Sequence, residues 1–361
     1  MPHEAQKRAE SIRWLMATIK DVANAAGVSP ATVSAVLNDS AFVSPALKAR
    51  VLDAIRDLEY APSQLARNLR RGHSELIAIV VADLSNPFYS RVVCAAEAAV
   101  SAWGYSLVVF NSDEKPDAEK RILARVRALQ CEGLLLVPVG DVIAGLHRKS
   151  GGPILPTVLF GRTLNDEQLD AVTIDNFSAS YQATSYLIDL GHRRIGAILG
   201  PSHLSTGRDR AGGMQAALSA KGLTLELRFV RSGEFREEVA YSAARDLFLE
   251  PVRPTALYVA NGVMALGVMR AIADLGLRCP EDISIASTDN IPGIRGLRPN
   301  LTRSEHPIIE MVNESVRLLM DRIKGGPITQ KRKVVFPSAL VVGDSCAPPL
   351  ATRLSTPRSA P

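Results

Sequence analysis

Short aliphatic runs that alternate with helix-like segments occupy the chain from Leu76 onward, and they restrict its fold more than any other feature. Apolar residues in these runs follow one another without polar alternation, which indicates strands that are buried on both faces. Strands of this kind separated by helices are typical of a parallel sheet covered by helices on both sides. Residues 76–345 are too many for one such sheet, so we expect two α/β lobes that face each other across a cleft.

The same patterns locate the individual elements. The predicted strands are LIAIVV, SLVVF, GLLLVPV, PTVLF, AVTI, IGAIL, TALYV and ISIAS. The predicted helices are PFYSRVVCAAEAAVSAW, KRILARVRALQ and segments near 177–190, 207–221, 236–249, 262–275 and 307–323. Ligands of parallel sheets bind beyond the carboxyl ends of the strands, which places a candidate site in the cleft. No internal repeat is evident in the sequence.

Composition narrows the class of protein without deciding its function. The chain has 361 residues, of which 47% are hydrophobic and 22% charged, so it can bury large cores and is not globally disordered. Its net charge of +5 is compatible with a nucleic-acid partner and equally with an enzyme. The four cysteines are far apart and form no CxxC or Cys/His cluster, which argues against a zinc site or a disulfide framework.

The two ends of the chain show no targeting signal. The first residues are polar, and no apolar run approaches the ~20 residues that span a bilayer, so we expect a cytoplasmic protein with no membrane partner. Residues 1–15 are charged and are expected to be disordered, with Met16 as an alternative start. Residues 346–361 are rich in Pro, Ser and Ala and are expected to form a flexible tail.

Residues 16–60 begin with the signals of two short helices joined by a turn. Thr18 can cap the first helix, with Asp21 as its partner in a capping box. Gly27 can end this helix, because glycine readily adopts positive φ. Ser29 can cap the second helix, and Pro30 occupies its first position, where the missing N–H is harmless. This arrangement is typical of a helix-turn-helix.

The second helix, in the stretch GVSPATVSAVLN, has an unusual outer face. Val33, Val36 and Leu37 lie on one side, and the other side carries no charge. A helix with short side chains can come close to base edges in the major groove, which is ~12 Å wide. Hydrogen bonds to bases could come from Thr32, Ser34 and Asn38, and contacts with a thymine methyl from Ala31 and Ala35.

A third helix is predicted to begin at Ser44–Pro45, where a capping serine again precedes a proline at the first helical position. It is predicted to run to about Tyr60 with Leu58 facing inward. With this helix, the region could also be a three-helix bundle that only packs against another surface. The pattern alone leaves both interpretations open.

Residues 61–75, APSQLARNLRRGHSE, form a basic segment after the third helix. Such a segment is commonly a solvated tether. It could instead form one or two helical turns, with Leu65 and Leu69 on one side and Arg67 and Arg70 near phosphates. An apolar side chain flanked by arginines can open a base step from the minor groove.

Several stretches taken together carry a family resemblance. They are TIKDVANAAGVSPATVSAVLN, FVSPALKARVLDAI, YAPSQLARNLRRG, IAIVVADLSNPFY, VTIDN, LGHRRIGAILGP, PTALYVAN, LGLRCPEDISI and LMDRI. They extend over most of 16–345, and as a set they are highly specific. The chain resembles the LacI/GalR family of bacterial transcription regulators, with a layout similar to its purine repressor branch.

The resemblance implies an α/β fold with an all-α headpiece and a two-lobed core similar to periplasmic sugar-binding proteins. It further implies a homodimer that binds a palindromic operator in double-stranded DNA, a nucleoid-associated location, and a small molecule in the cleft that changes operator affinity. No leucine-heptad tail follows residue 345, so we expect a dimer rather than a tail-tethered tetramer. The implied domains are a helix-turn-helix at 16–60, a hinge at 61–75, an N-terminal lobe of 76–175 and 307–335, and a C-terminal lobe of 176–303 and 336–345.

The resemblance also assigns the residues that contact DNA. They are Thr18, Ser29, Pro30, Ala31, Thr32, Ser34, Ala35, Asn38, Ser63, Leu69 and Arg70. Leu69 matches the residue that is wedged into the minor groove. Ala35 departs from the family, whose members often carry Arg or His there. Because alanine cannot pair with guanine through two hydrogen bonds, we expect relaxed or methyl-directed readout at that base.

The effector-binding residues implied in the cleft are Phe88, Tyr89, Arg162, Thr206, Arg210, Phe235, Asn261 and Asp289. Gly161, Gly262 and Arg303 depart from the family pattern, and the cleft would lose acidic residues and gain an arginine. We therefore expect a sugar, a sugar acid or a sugar phosphate, with some weight toward an anion, while a nucleobase stays possible. No cofactor, metal or catalytic residue is implied.

Two other classes of protein were weighed against this one. An enzyme would need a catalytic constellation, and the sequence has no GxSxG, P-loop, HExxH or GxGxxG after a strand. His192, in LGHRRI, is expected to cap or pack rather than to act in catalysis. A transport-type binding protein would share the two lobes, but it would need export and would have no use for residues 16–75.

Overall fold

The structure, a computed structural model, describes residues 17–60, 73–140, 146, 155–164, 169–289, 298–325 and 331–350. The chain forms two compact units, Met1–Ser74 and Glu75–Pro361. Within these described residues, no helix is long and apolar enough to cross a membrane.

The first unit contains the helices α1 (Ile19–Ala26), α2 (Pro30–Asn38) and α3 (Pro45–Asp57). The predicted capping box is confirmed, because Thr18 Oγ1 accepts the backbone N–H of Asp21 at 3.4 Å and the Asp21 carboxylate accepts the backbone N–H of Thr18 at 2.8 Å. Gly27 ends α1 with a φ of 62°, and Ser29 caps α2 through the backbone N–H of Thr32 at 3.1 Å.

The start and end of α3 differ from the prediction. Ser44 makes no side-chain hydrogen bond to α3, although Pro45 is its first residue. The helix ends at Asp57 instead of Tyr60, and Leu58 is exposed rather than facing inward. The core of this unit is small and is built from valines and alanines of all three helices: Val22, Ala23, Ala26, Val33, Val36, Val51 and Ala54.

The second unit contains two six-stranded sheets. The strands of the first sheet are β1 (Leu76–Val81), β2 (Ser106–Asn111), β3 (Gly133–Leu136), β4 (Thr157–Phe160), β5 (Asp170–Ile174) and β11 (Lys333–Phe336). The strands of the second sheet are β6 (Ile195–Leu199), β7 (Val230–Ser232), β8 (Ala256–Val259), β9 (Ser284–Thr288), β10 (Thr302–Glu305) and β12 (Ala339–Val341).

Helices flank both sheets, as the alternation in the sequence predicts. They are α4 (Pro87–Ser101), α5 (Pro116–Ala128), α6 (Asn176–Asp189), α7 (Ser205–Ala220), α8 (Glu237–Leu249), α9 (Gly262–Asp274) and α10 (Ile308–Ile323). The predicted fold class is therefore confirmed, with a separate aliphatic core in each lobe. The prediction missed four short strands, β7, β10, β11 and β12.

The two sheets share one strand order, which the sequence does not reveal as a repeat. The orders are β2-β1-β3-β4-β5-β11 and β7-β6-β8-β9-β10-β12. All neighbouring strands are parallel except β10 and β12, which are antiparallel. The chain passes between the sheets after β5, after β10 and after β11, and α10 packs on the first sheet.

The chain after β12 does not become a free tail at residue 346. The backbone N–H of Ala347 donates to Ser284 Oγ at 3.0 Å, and its carbonyl lies 3.0 Å from His192 Nε2. The side chain of Cys346 packs against the core of the second lobe. Residues 346 and 347 thus belong to the second lobe, and His192 has the packing role expected of it; residues 351–361 lie outside the described part of the chain.

Candidate functional site

The outer face of α2 is small, uncharged and accessible. Pro30, Ala31 and Asn38 are exposed, whereas Val33 and Val36 are buried against α1 and α3. Thr32, Ser34 and Ala35 are half-buried along the edges of the face. The helix therefore presents the surface that the sequence predicts, with no side chain long enough to keep it away from a neighbouring surface.

Several polar groups on this face have local partners. Ser29 Oγ accepts the N–H of Thr32, and Asn38 Nδ2 donates to the carbonyl of Ser34 at 2.8 Å. Thr18 Oγ1 donates to Asp21 at 2.6 Å. These bonds fix the ends of α1 and α2, so Thr18, Ser29 and Asn38 stabilise the helices whatever else they contact.

One exposed residue near α2 was missed by sequence reasoning. Phe42, in the loop between α2 and α3, is 94% exposed. The side chain is accessible beside the outer face of α2. The predicted hinge residues Ser63, Leu69 and Arg70 lie outside the described residues.

The second unit encloses a cavity of about 50 Å³ between the two sheets. All eight residues predicted to bind an effector line it, together with seven that were not predicted. The lining is Asp83, Asn86, Phe88, Tyr89, Glu114, Gly161, Arg162, Ile174, Thr206, Arg210, Phe235, Asn261, Asp289, His306 and Met311.

The topology explains why residues so distant in sequence meet here. Each of the two sheets directs the carboxyl ends of its strands toward the cavity, where the polar loops begin. Asp83 and Glu114 follow β1 and β2, and Arg162 follows β4. Asp289 and His306 follow β9 and β10 in the second lobe.

Arg162 is held on the first lobe by a buried ion pair. Its guanidinium donates two hydrogen bonds to Glu114, at 2.6 and 2.8 Å, and a third to the carbonyl of Pro138 at 3.2 Å. The side chains of Arg162 and Glu114 are 5% and 15% exposed. The guanidinium also lies 5.6 Å from the centre of the Phe235 ring, which belongs to the second lobe.

Arg210 is held on the second lobe by protein acceptors. Its Nε donates to Asn176 Oδ1 at 2.8 Å, one Nη donates to the carbonyl of Ala260 at 2.5 Å, and the other donates to Asp289 at 3.2 Å. Burial alone would raise the pKa of Asp289, but the charges of Arg210 and His306 outweigh it and lower this pKa to about 2. Asp289 is therefore an anion over the physiological pH range.

Other lining residues shape the cavity wall. Tyr89 is buried, and this burial raises its pKa to about 12, so its hydroxyl stays protonated. Its ring meets Phe88 edge-on at 5.2 Å. Asn261 caps α9 by accepting the N–H of Met264 at 2.8 Å. Phe235 packs over Gly200, where any side chain would collide with the ring.

A cationic side chain joins the two lobes at the edge of the cavity. Arg236, which precedes α8, donates to Asp83 at 3.0 Å and to Asp113 at 2.7 Å on the first lobe. It also donates to the carbonyl of Asp113 at 2.7 Å. These bonds hold the lobes together across the cleft.

Arg303 does not enter the cavity, contrary to the expectation that it adds positive charge there. It is 5% exposed and donates to the carbonyl of Leu301 at 3.0 Å and to the Glu305 carboxylate. Its position in β10 directs it away from the carboxyl end of the sheet. The unpredicted acidic residues Asp83 and Glu114 line the cavity instead, and the strand-end rule could have identified both.

Comparison with known proteins places these features in one family. A sequence model described as "Bacterial regulatory proteins, lacI family" matches residues 18–63, and one for a periplasmic binding protein-like domain matches residues 184–346. The ribose operon repressor of Escherichia coli (strain K12) is 34% identical over 330 residues, which cover 91% of this chain and all of that protein. The chain belongs to the lacI family of bacterial regulatory proteins.

Solved structures of lacI-family proteins and related regulators have the same architecture. The lac repressor dimer bound to operator and the anti-inducer ONPF has a TM-score of 0.78 at 26% identity, covering 92% of this chain and 99% of that one. The complex of the transcriptional regulator CelR with cellobiose has a TM-score of 0.68 at 31% identity, covering 91% and 99%. Membership in the lacI family makes this chain a DNA-binding transcriptional regulator with an effector domain and, like its curated relatives, not an enzyme.

Proposed function

We propose that this lacI-family regulator is a repressor that binds a palindromic operator as a homodimer and responds to a small molecule held between its lobes. The observation that carries the proposal is the joint presence of an exposed, uncharged α2 face and a polar interlobe cavity in one chain. The first is suited to base contacts, and the second to a hydroxylated ligand.

The α2 face supports a particular mode of readout. Pro30 and Ala31 are exposed at the start of the helix and would meet thymine methyl groups and sugar edges. Ala35, at the edge of the face, cannot donate to guanine. Specificity would therefore come from methyl contacts, from Thr32 and Ser34, and from bending of the DNA at the hinge.

In this proposal the hinge, residues 61–75, also contacts the operator. Leu69 from each subunit opens the central base step from the minor groove, with Arg70 against the neighbouring phosphates. Ser63 contacts the backbone where the segment begins. The proposal for these residues rests on their sequence, since they lie outside the described part of the chain.

A groove on the first lobe supports dimerisation. It has a volume of about 730 Å³, and its lining is mostly apolar: Pro87, Ser90, Arg91, Cys94, Ala95, Ala98, Ala99, Ala102, Ile308, Ile309 and Asn313. The small side chains of α4 allow another helix to approach closely, and Ile309 is 60% exposed. A second copy of this lobe would bury the groove and bring two headpieces to adjacent major grooves.

The cavity supports a sugar or sugar derivative as effector. Carboxylates, guanidinium groups and the faces of Phe88 and Phe235 are the usual partners of sugar hydroxyls and ring faces. The related CelR was solved in complex with cellobiose. Binding would hold the lobes together and shift the first lobes relative to each other, with a coupling of ~1–3 kcal/mol to operator affinity. The regulator would act in the cytoplasm, on the nucleoid.

The test is fluorescence anisotropy of the full chain on its selected operator and on a shuffled duplex. Leu69→Ala should weaken operator binding at least tenfold more than binding to the shuffled duplex, because only the specific complex contains the opened step. Leu52→Ala, at a half-exposed position of α3, is the matched control and should leave both affinities nearly unchanged. Equal losses on the two duplexes would remove the wedge role from Leu69.

A further inference from the structure

The second unit contains another cavity, of about 110 Å³, beside the interlobe cavity. It lies where the chain leaves β5 and enters α6, next to the start of α7 and to β11. Its polar and charged lining residues are Thr163, Thr173, Asp175, Asn176, Ser205, Asp209 and Lys333, and they define what we call the crossover cavity. No residue predicted from the sequence to bind an effector lines it, and it shares no charged residue with the interlobe cavity.

The walls of the crossover cavity suit a polar ligand. Thr173 and Ser205 are 5% and 8% exposed, so their hydroxyl groups belong to a built surface. The N–H of Thr163 donates to Ser205 Oγ at 3.0 Å, which joins the segment after β4 to the start of α7. A polar cavity of this volume has room for several water molecules or for a small polar ligand.

Asp209 and Lys333 place opposite charges on the wall without pairing. Within the part of the chain that the structure describes, neither forms a hydrogen bond or an ion pair. Partial burial raises the pKa of Asp209, and the nearby charges of Arg208, Lys333 and Arg210 oppose this rise only in part. Both arginines donate to other acceptors. A cationic group on a ligand would therefore stabilise the Asp209 carboxylate.

The third charged residue, Asp175, already has partners. Its carboxylate caps α6 by accepting the N–H of Ser178 at 2.9 Å and the Ser178 hydroxyl at 2.6 Å. The helices α6 and α7 both begin at the cavity wall, and a helix N-terminus carries a partial charge of about +0.5. These partial charges offset Asp175, so Asp209 and Lys333 are the charges that a ligand has to match.

We propose that the crossover cavity binds a small α-amino acid, whose ammonium group donates to Asp209 and whose carboxylate accepts from Lys333. Phe177 and Val335 line the same cavity and are 45% and 48% exposed, so the ligand's side chain would lie against them. The volume favours a small side chain, as in glycine, alanine, serine or valine. Such a ligand would contact two of the segments that connect the lobes, at a site separate from the proposed effector site.

The first experiment is isothermal titration of the full chain, without DNA, against glycine, L-alanine, L-serine and L-valine. Each is compared with its N-acetyl derivative, which has no ammonium group, and with its amide, which has no carboxylate. We expect at least one of the four amino acids to bind and both of its blocked forms to bind at least tenfold more weakly, because each lacks one charge-assisted contact. No binding of any of the four, or equal binding of a blocked form, would overturn the proposal.

Two substitutions assign the contacts. Asp209→Asn and Lys333→Gln each remove one charge at an exposed position and should leave the melting temperature nearly unchanged. We expect each to weaken binding of the amino acid at least tenfold. The N-acetyl form should lose little further affinity in Asp209→Asn, and the amide little in Lys333→Gln, because the group that each would have met is already gone.

The matched controls are Asp189→Asn and Lys221→Gln. These two residues pair with each other at 3.2 Å on the exposed surface of the second lobe, outside the crossover cavity, and their loss should not alter binding. Full affinity in either Asp209→Asn or Lys333→Gln would overturn the proposal, since an amino acid bound in the interlobe cavity would contact neither residue. Because these titrations contain no sugar and no DNA, the result does not depend on the proposed effector or operator.

Discussion

Arg210 organises the part of the cavity wall that belongs to the second lobe. Its donors reach Asn176, Ala260 and Asp289, and it is 6% exposed. Arg210→Ala would leave Asp289 with His306 as its remaining partner and would remove one wall of the site. We expect loss of the ligand response and a lower melting temperature, because removing one partner of a buried ion pair destabilises a protein by ~3–5 kcal/mol.

The matched control for this variant is Arg208→Ala on the same helix. Arg208 is exposed and donates to the carbonyl of His203 at 2.8 Å, outside the cavity lining. Titration calorimetry and melting curves of the two variants would be compared. A normal ligand response in Arg210→Ala would show that Arg210 is not part of the site.

Glu119 makes the stability of the second unit depend on pH. It is fully buried and accepts the N–H groups of Val139 and Gly140 at 2.9 and 3.3 Å, and burial raises its pKa to about 7. Between about pH 4.5 and 7 the folded chain holds this proton and the unfolded chain does not. The proton on Glu119 therefore stabilises the folded chain fully below pH 4.5, and this stabilisation is lost as the pH rises to 7. The loss in the free energy of unfolding is ~3 kcal/mol at most.

Urea unfolding between pH 5 and 8 measures this effect. The wild-type chain should lose stability across the window relative to Glu119→Gln, whose side chain carries no titrating proton. Glu310→Gln, at an exposed position of α10, should follow the wild-type profile. Parallel profiles for wild type and Glu119→Gln would show that Glu119 is ionised in the folded chain at low pH.

At the scale of elements, the turn before α8 closes the cleft. Glu234 and Phe235 have positive φ values, as do Asp113 and Glu114 on the opposite lobe, and Arg236 bridges the two turns. Arg236→Ala should favour separated lobes. This change would increase the radius of gyration measured by X-ray scattering and lower the affinity for the effector severalfold. Arg236 and Asp113 are partly exposed, and the buried Asp83 carboxylate keeps its hydrogen bonds from Ser85, so the stability of each lobe should change little.

Arg270→Ala is the matched control for the bridge. Arg270 pairs with Glu237 and Glu238 within the second lobe, so its loss should alter neither the radius of gyration nor the ligand affinity. Identical scattering from wild type and Arg236→Ala would show that the bridge does not hold the lobes together.

Local signals account for much of what the sequence predicts at this scale. Thr18, Gly27 and Ser29 end or cap their helices as expected because capping depends on neighbours within four residues. Ser44 fails as a cap although it stands in the same dipeptide context, since the local backbone does not bring its hydroxyl to a helix N–H. The short edge strands β7, β11 and β12 were missed because their runs are too brief to show a pattern.

At the scale of the whole molecule, ion pairs between distant residues set the charge of the cavity, which sequence patterns do not predict. The strand-end rule and the family resemblance together predict that Arg162 and Arg210 reach one cavity. They do not predict that Glu114 and Asp289 neutralise these arginines, because the partners are 48 and 79 residues away. The charge of the cavity depends on those pairs, which counting charged residues in the sequence does not reveal.

The mostly apolar groove along α4, proposed above as the dimer interface, leads to a prediction about the oligomeric state. Ile309→Glu places a charge at an exposed apolar position of the groove and should convert the proposed dimer to monomers, with operator affinity falling by at least tenfold. Leu227→Glu is the control, because Leu227 is 82% exposed on the second lobe and outside the groove. Sedimentation velocity measures the outcome, and a dimer that persists in Ile309→Glu would exclude the groove as the interface.

Selection of sheared genomic DNA on the full-length protein, without added ligand, tests the central claim most directly. An operator-binding dimer should enrich one short palindrome with a central CG step, the step that Leu69 would open. The genes beside the palindrome would then indicate candidate effectors. Recovery of DNA with no common sequence above background would contradict a sequence-specific regulator that reads its operator through α2 and the hinge.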